Sequence, residues 1–139
     1  MSDVITLADY LARWVDRSPD REPVAKTVDA IAGATIEIDA LIRKGPLAGA
    51  IGATTGKQSG VDQQKKIDVL ANDLILDGLR TCPVSCFASE EMDNPLRIHA
   101  DGKLAVAVDP IDGSSNVEAN ITLGTIFSVL PALASGGDG

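Results

Sequence analysis

Near the end of a 139-residue chain, Asp109-Pro110-Ile111-Asp112-Gly113-Ser114-Ser115-Asn116 follows a short apolar run, Leu104 to Val108. Two carboxylates three positions apart can hold a hard cation such as Mg²⁺. The Gly-Ser-Ser run behind them offers unhindered backbone N–H groups and hydroxyls, which suit a phosphate. A cation holder joined to a phosphate holder is the least equipment that metal-assisted phosphoryl chemistry requires. A second pair of acids, Glu90-Glu91, closes another strand-like run, Pro83 to Ser89. If the two strands are neighbours, their acids converge at the strand ends, where open α/β sheets place ligands. Acids packed so closely raise one another's pKa, a penalty that divalent ions remove. Two metals about 3.5–4 Å apart can clamp the attacking and leaving oxygens of a phosphoryl transfer. Glu-Glu alone reads as a solvated turn, and Asp-x-x-Asp alone as a loop or helix cap. The eight-residue string fixes Pro, Gly and Asn as well, which a purely structural turn does not require.

Helices and strands must bring these groups together. Val4, Leu7, Ala8, Leu11, Trp14 and Val15 recur at helical spacing and predict a helix over 3–16, capped by Ser2 or Asp3. A second helix, 23–44, has an apolar face of Val24, Val28, Ile31, Ile38, Leu41 and Ile42. It carries Arg43 and Lys44 in its last turn and ends at Gly45-Pro46. A third, 62–79, turns Ile67, Leu70, Leu74 and Ala71 to the core. Its polar side carries Asp62, Lys65, Lys66, Asp68 and Asn72, where a solvated surface is the ordinary reading. Asp68 and Asn72 are four apart and share a face. Strands are expected over 83–89, 103–108 and 122–130. Between the second and third helices, Gly45, Gly49, Gly52, Gly56 and Gly60 punctuate a segment that reads equally as a linker or as a mobile lid. Cys82 and Cys86, spaced to share one face of a strand, read as buried thiols; a zinc site would need more ligands than the lone His99 supplies.

The chain carries a net charge of −8 with no polybasic run, which argues against nucleic acid and against a membrane surface. The N-terminus lacks the basic and apolar regions of a secretory signal, so a cytoplasmic location is the default expectation. Aromatic residues make up only 3% of the chain, so the core must be built from Val, Ile, Leu and Ala.

The chain resembles the N-terminal part of class 1 fructose-1,6-bisphosphatases, within the inositol monophosphatase-like superfamily of metal-dependent sugar phosphatases. The string from Asp109 to Asn116 matches that family's D-P-[LI]-D-G-S-S-N signature throughout. The segment Asp62 to Leu74 resembles a family helix bearing two acids, Ser89-Glu90-Glu91 its Ser-Glu-Glu strand end, and Leu123 to Ser128 the strand that follows. The resemblance implies a layered α+β sugar phosphatase fold, with N-terminal helices packed on part of a mixed sheet and the C-terminal half missing. It implies that Glu90, Asp109, Asp112 and the backbone carbonyl of Ile111 ligate Mg²⁺, two or more ions, with Mn²⁺ as an alternative. It implies that Asp68 and Glu91 help activate water, that Asp62 acts with the Gly-rich segment as a mobile loop, and that Asp112, Gly113, Ser114 and Ser115 hold the phosphate that is cleaved. The implied reaction is hydrolysis of the 1-phosphate of fructose 1,6-bisphosphate, by a homotetramer in the complete protein.

The sequence departs from the family in two respects. Its length is under half that of family members, whose C-terminal part supplies a further acidic ligand and most groups that grip the sugar. The Gly-Thr-Gly-Glu-like turn that receives AMP in many relatives is not recognisable at Asp16 to Pro23. A sedoheptulose-1,7-bisphosphatase, a bifunctional sugar bisphosphatase and a non-catalytic metal-binding or oligomerisation module remain as alternatives.

Overall fold

A computed structural model describes residues 4–44, 60–113 and 122–132, apart from the side chains of residue 44 and residues 60–64. Helix α1 spans Leu7–Asp16, α2 Glu22–Lys44 and α3 Gly60–Leu79. Four strands follow: β1 Val84–Ser89, β2 Leu96–Arg97, β3 Leu104–Asp112 and β4 Gly124–Pro131. The sheet order is β2-β1-β3-β4, with β1 and β3 parallel and the other pairs antiparallel. Helices on a mixed sheet make this a layered α+β fold.

Helix α1 begins later than its apolar spacing suggests. Thr6 caps it, accepting the Asp9 N–H at 3.1 Å and donating its hydroxyl to Asp9 Oδ2 at 2.7 Å. One orphan N–H of the first turn is thus satisfied, and the Asp9 carboxylate orients the hydroxyl that accepts it. Val4 lies upstream of the cap and is 95% exposed, while Leu11 is the one buried residue of α1. The expected caps, Ser2 and Asp3, lie outside the described residues. A 3₁₀ turn, Pro19–Arg21, links α1 to α2. The Arg21 guanidinium lies 5.0 Å from the Trp14 ring centroid and donates to the Trp14 carbonyl at 3.2 Å, tying this turn back onto α1.

One hydrophobic cluster unites Ile31, Ala34 and Ile38 of α2, Ile67, Ala71, Ile75 and Leu79 of α3, Val84 and Phe87 of β1, and Leu104, Val106, Val108 and Ile111 of β3. Helix α3 therefore buries a strict four-residue repeat. Leu70, expected in the core, is half-exposed, and Ile75 and Leu79 take its place. Asp68 and Asn72, expected on a solvated side, are buried beside that repeat. Thr27 is also fully buried in α2, its hydroxyl satisfied by the Pro23 carbonyl at 2.8 Å.

Cys82 precedes β1 rather than lying on it; it is buried, Cys86 is half-buried, and both thiols are free. Strand β3 runs four residues past its expected end at residue 108, and the short β2 lies between the first two expected strands, where the sequence predicts none. Strand β4 begins at Gly124, two residues later than expected. Segment 45–59, the body of the Gly-rich stretch, lies outside the described residues, as does the tail beyond residue 132. Among the described residues no helix is long and apolar enough to cross a membrane.

The turn ahead of β3 packs hard against β1. A Cβ on Gly102 would stand 2.3 Å from the Ser85 nitrogen and 2.5 Å from the Val84 carbonyl carbon, both rigid backbone. Gly33, midway along α2, has nothing within 4 Å of that position. Gly102→Ala is therefore predicted to destabilise the fold by about 2 kcal/mol or more, as overpacking does. Gly33→Ala should stabilise it by roughly 0.5–1 kcal/mol, the usual gain from removing a helix-interior glycine. Urea unfolding of both variants measures the contrast, and equal midpoints would contradict the close backbone approach at Gly102.

Candidate active site

The parallel register sets the site. Ser89 of β1 stands opposite Val108 of β3, and the Glu90 N–H continues the ladder by donating to the Val108 carbonyl at 3.1 Å. Glu90 is thereby delivered beside Asp109. The chain then turns: the Glu91 N–H reaches the Ser89 hydroxyl at 3.3 Å and the Met92 N–H reaches the Ser89 carbonyl at 3.1 Å.

A β-bulge places the second aspartate. On β3, Asp109 pairs with Ile126 and Asp112 with Gly124, so three steps on one strand face two on the other. Leu104, Val106, Val108 and Pro110 alternate inward, and then Ile111 is buried as well. The extra residue reverses the alternation, so Asp109 and Asp112 share the non-core side although they are three apart. Proline suits this position because it has no N–H to lose from a ladder. Its carbonyl accepts the Thr125 hydroxyl at 2.9 Å, and the Ile111 N–H donates to Asp109 Oδ1 at 3.1 Å, fixing that carboxylate. Gly113 follows with φ of 82°, a left-handed conformation that favours glycine.

Helix α3 supplies the remaining acid. Asp68 is 7% exposed, and its charge acts on both Glu90 and Glu91. The Glu90 carboxyl is held above the ordinary carboxylate range, first by a hydrogen bond to Asp109, then by the charge of Asp109, desolvation, and the charges of Asp112 and Asp68. Glu91 is raised by desolvation and then by Asp68, Glu90 and Asp109. Every influence on these two groups from the described residues has the same sign, upward. Two ion pairs, Arg43–Asp39 at 2.6 Å and Arg80–Asp77 at 3.1 Å, lie outside the cluster.

Five of the expected site residues thus meet: Asp68, Glu90, Glu91, Asp109 and Asp112. Gly113 closes the turn behind them, and Ile111 turns its side chain to the core. Asp62 lies in the first turn of α3, its side chain outside the described set, and Ser114 and Ser115 lie outside it altogether. Sequence reasoning missed the bulge, which the Pro inside an apolar run signals, and the burial of Asp68 and Asn72. A nearby cavity of about 360 Å³, lined by Ile38, Ile42, Pro110 and Ile111 among others, contains none of the cluster acids.

A set of carboxylate oxygens with uncompensated repulsion fits a hard divalent cation such as Mg²⁺. Among the described residues no three such side chains are arranged to hold an ion as they stand. Because the folded Glu90 and Glu91 bind protons more tightly than the open chain, their contribution to stability is full below the ordinary carboxylate range and is lost as pH rises through the raised values. In EDTA, Glu90→Gln should therefore melt above the parent protein at neutral pH, with the gap narrowing towards acid pH. Calorimetric melts at several pH values test this, and a gap that widens in acid would contradict it.

The sequence model of the fructose-1,6-bisphosphatase N-terminal domain matches residues 16–138. A class 1 fructose-1,6-bisphosphatase of Xanthobacter autotrophicus is 43% identical over 127 residues, covering 91% of this chain and 34% of that protein. One from Azorhizobium caulinodans is 44% identical over 133 residues, covering 94% and 40%, and one from Bradyrhizobium diazoefficiens is 45% identical over 132 residues, covering 95% and 38%. The crystal structure of Leishmania major fructose-1,6-bisphosphatase in holo form superposes with a TM-score of 0.70 at 25% identity, over 90% of this chain and 37% of that one. The chain therefore spans between a third and two fifths of the length of these proteins.

Proposed function

The chain belongs to the fructose-1,6-bisphosphatase family, and from that premise we propose that it forms the metal- and phosphate-holding part of a Mg²⁺-dependent sugar bisphosphate phosphatase. The proposed reaction is hydrolysis of the 1-phosphate of fructose 1,6-bisphosphate to fructose 6-phosphate and phosphate. The observation that carries this reading is the β1–β3 register, which sets Glu90 against Asp109 while the bulge brings Asp112 to the same side.

Glu90, Asp109, Asp112 and the Ile111 carbonyl would hold the cations. When bound, Mg²⁺ supplies Lewis acidity and neutralises charge on the phosphoryl oxygens. Asp68 and Glu91 accept the proton of the attacking water; the raised pKa of Glu91, from desolvation and neighbouring acids, makes it a stronger base than a solvated carboxylate. Backbone N–H groups and hydroxyls from Gly113 to Ser115 orient the phosphate, and the left-handed Gly113 turn supports that role. Asp62 would act with the Gly-rich segment that precedes α3 to exclude water during turnover. The proposed setting is a cytoplasmic homotetramer of the full-length protein.

Asp109→Ala and Glu90→Ala in the full-length protein are each expected to lower Mg²⁺-dependent hydrolysis of fructose 1,6-bisphosphate by on the order of 10²-fold or more. Both variants should remain folded by circular dichroism. Wild-type turnover in both would remove the assignment. Saturable Mg²⁺ binding by the parent protein without any hydrolysis would instead mark a non-catalytic metal-binding module.

A further inference from the structure

Asn72 has no part in the roles assigned above, yet its surroundings set it apart. It is 7% exposed, on α3, one turn beyond Asp68. The core-facing stripe of that helix is Ile67, Ala71, Ile75 and Leu79; Asp68 and Asn72 form the adjoining stripe and so face the same way. The Asp68 end of this stripe acts electrostatically on Glu90 and Glu91. The Oδ1 atom of Asn72 is fully buried and has no hydrogen-bond partner among the described residues.

Buried amide oxygens are nearly always paired, because leaving one unpaired forfeits its hydration without return. Ionised carboxylates cannot supply the missing partner, since they only accept. A donor that enters with the occupant of the site would supply that partner. Mg²⁺ releases its waters reluctantly and keeps several when bound, and water polarised by the ion is a strong donor. A neutral amide accepts such a bond without adding to the repulsion that already raises Glu90 and Glu91. A further carboxylate would add to it.

We propose that Asn72 is a positioning residue whose carboxamide oxygen accepts a hydrogen bond from the hydration shell of the divalent cation held by Glu90, Asp109 and Asp112. This rests on reading the carboxylate cluster as a cation site. The amide sits in the metal-free fold as an unpaired group and acquires its partner when the ion enters. It aligns the cation's waters rather than touching the reacting atoms.

The experiment is calorimetric titration with Mg²⁺ alone, together with melting in EDTA, on the full-length protein and its Asn72→Leu, Asn72→Ala and Asn72→Asp variants. Asn72→Leu, close in size, should melt in EDTA at or above the parent temperature and bind Mg²⁺ about tenfold more weakly or worse, in the range found when groups orienting a metal's ligands are removed. Asn72→Ala should weaken binding similarly. Asn72→Asp, which keeps an acceptor, should bind at least as tightly as the parent. Unchanged Mg²⁺ affinity in the Leu and Ala variants would overturn the proposal. So would a failure of Asn72→Leu to fold, because the amide would then be a structural requirement. If the parent itself binds no Mg²⁺, the cation-site reading falls first; if the parent binds and the variants match it, only the role of Asn72 falls.

Discussion

Parallel pairing of β1 with β3 forces like charges together. Strands running the same way end at the same side of the sheet, so acids that terminate each strand meet there. The register Ser89 to Val108 leaves no room to separate Glu90 from Asp109. Hydrophobic burial holds that pairing in place: Val84 and Phe87 on β1, and Leu104, Val106 and Val108 on β3, all lie in the core. A one-residue slip would turn one of these rows outward, so the apolar face fixes the same register that concentrates the charge. Stability of the sheet and repulsion at its end are thus two consequences of one alignment.

Helix α3 contributes to both. Its four-residue repeat of Ile67, Ala71, Ile75 and Leu79 anchors it to the sheet and α2, and the small Ala71 permits close approach. The adjoining stripe then points Asp68 and Asn72 into a region where water is largely excluded. A carboxylate is seldom buried without compensation. The charge of Asp68 acts on Glu90 and Glu91 in the same sense as their other acidic neighbours.

Strand β4 has a different character. It lies at one edge of the described sheet, and Ile126, Phe127 and Leu130 are partly or largely exposed on it. Its contribution to the site is geometric: its pairing with β3 defines the bulge, and Thr125 fixes the Pro110 carbonyl. The Arg21–Trp14 contact, by contrast, lies between α1 and the start of α2, away from the strand ends.

The residue types of the site, the presence of three helices and the strands bearing the acids could all be read along the chain. These depend on local spacing and on a contiguous string whose chemistry is self-evident. The start of α1 could not, because Thr6 with Asp9 outcompetes any earlier cap through side-chain bonds that apolar spacing does not report. Nor could the core register of α3, where Leu70 and Ile75 are equally apolar and only contact with α2 and the sheet selects between them. The buried state of Asp68 and Asn72 is likewise a property of what packs around the helix. Sequence alone determined which groups carry charge and which turn can admit glycine's left-handed backbone. Tertiary structure alone decided that β1 and β3 are neighbours and parallel, that a bulge turns Asp109 and Asp112 to one side, and that α3 brings the charge of Asp68 to bear on Glu90 and Glu91, because each of these depends on contacts between residues far apart in the chain.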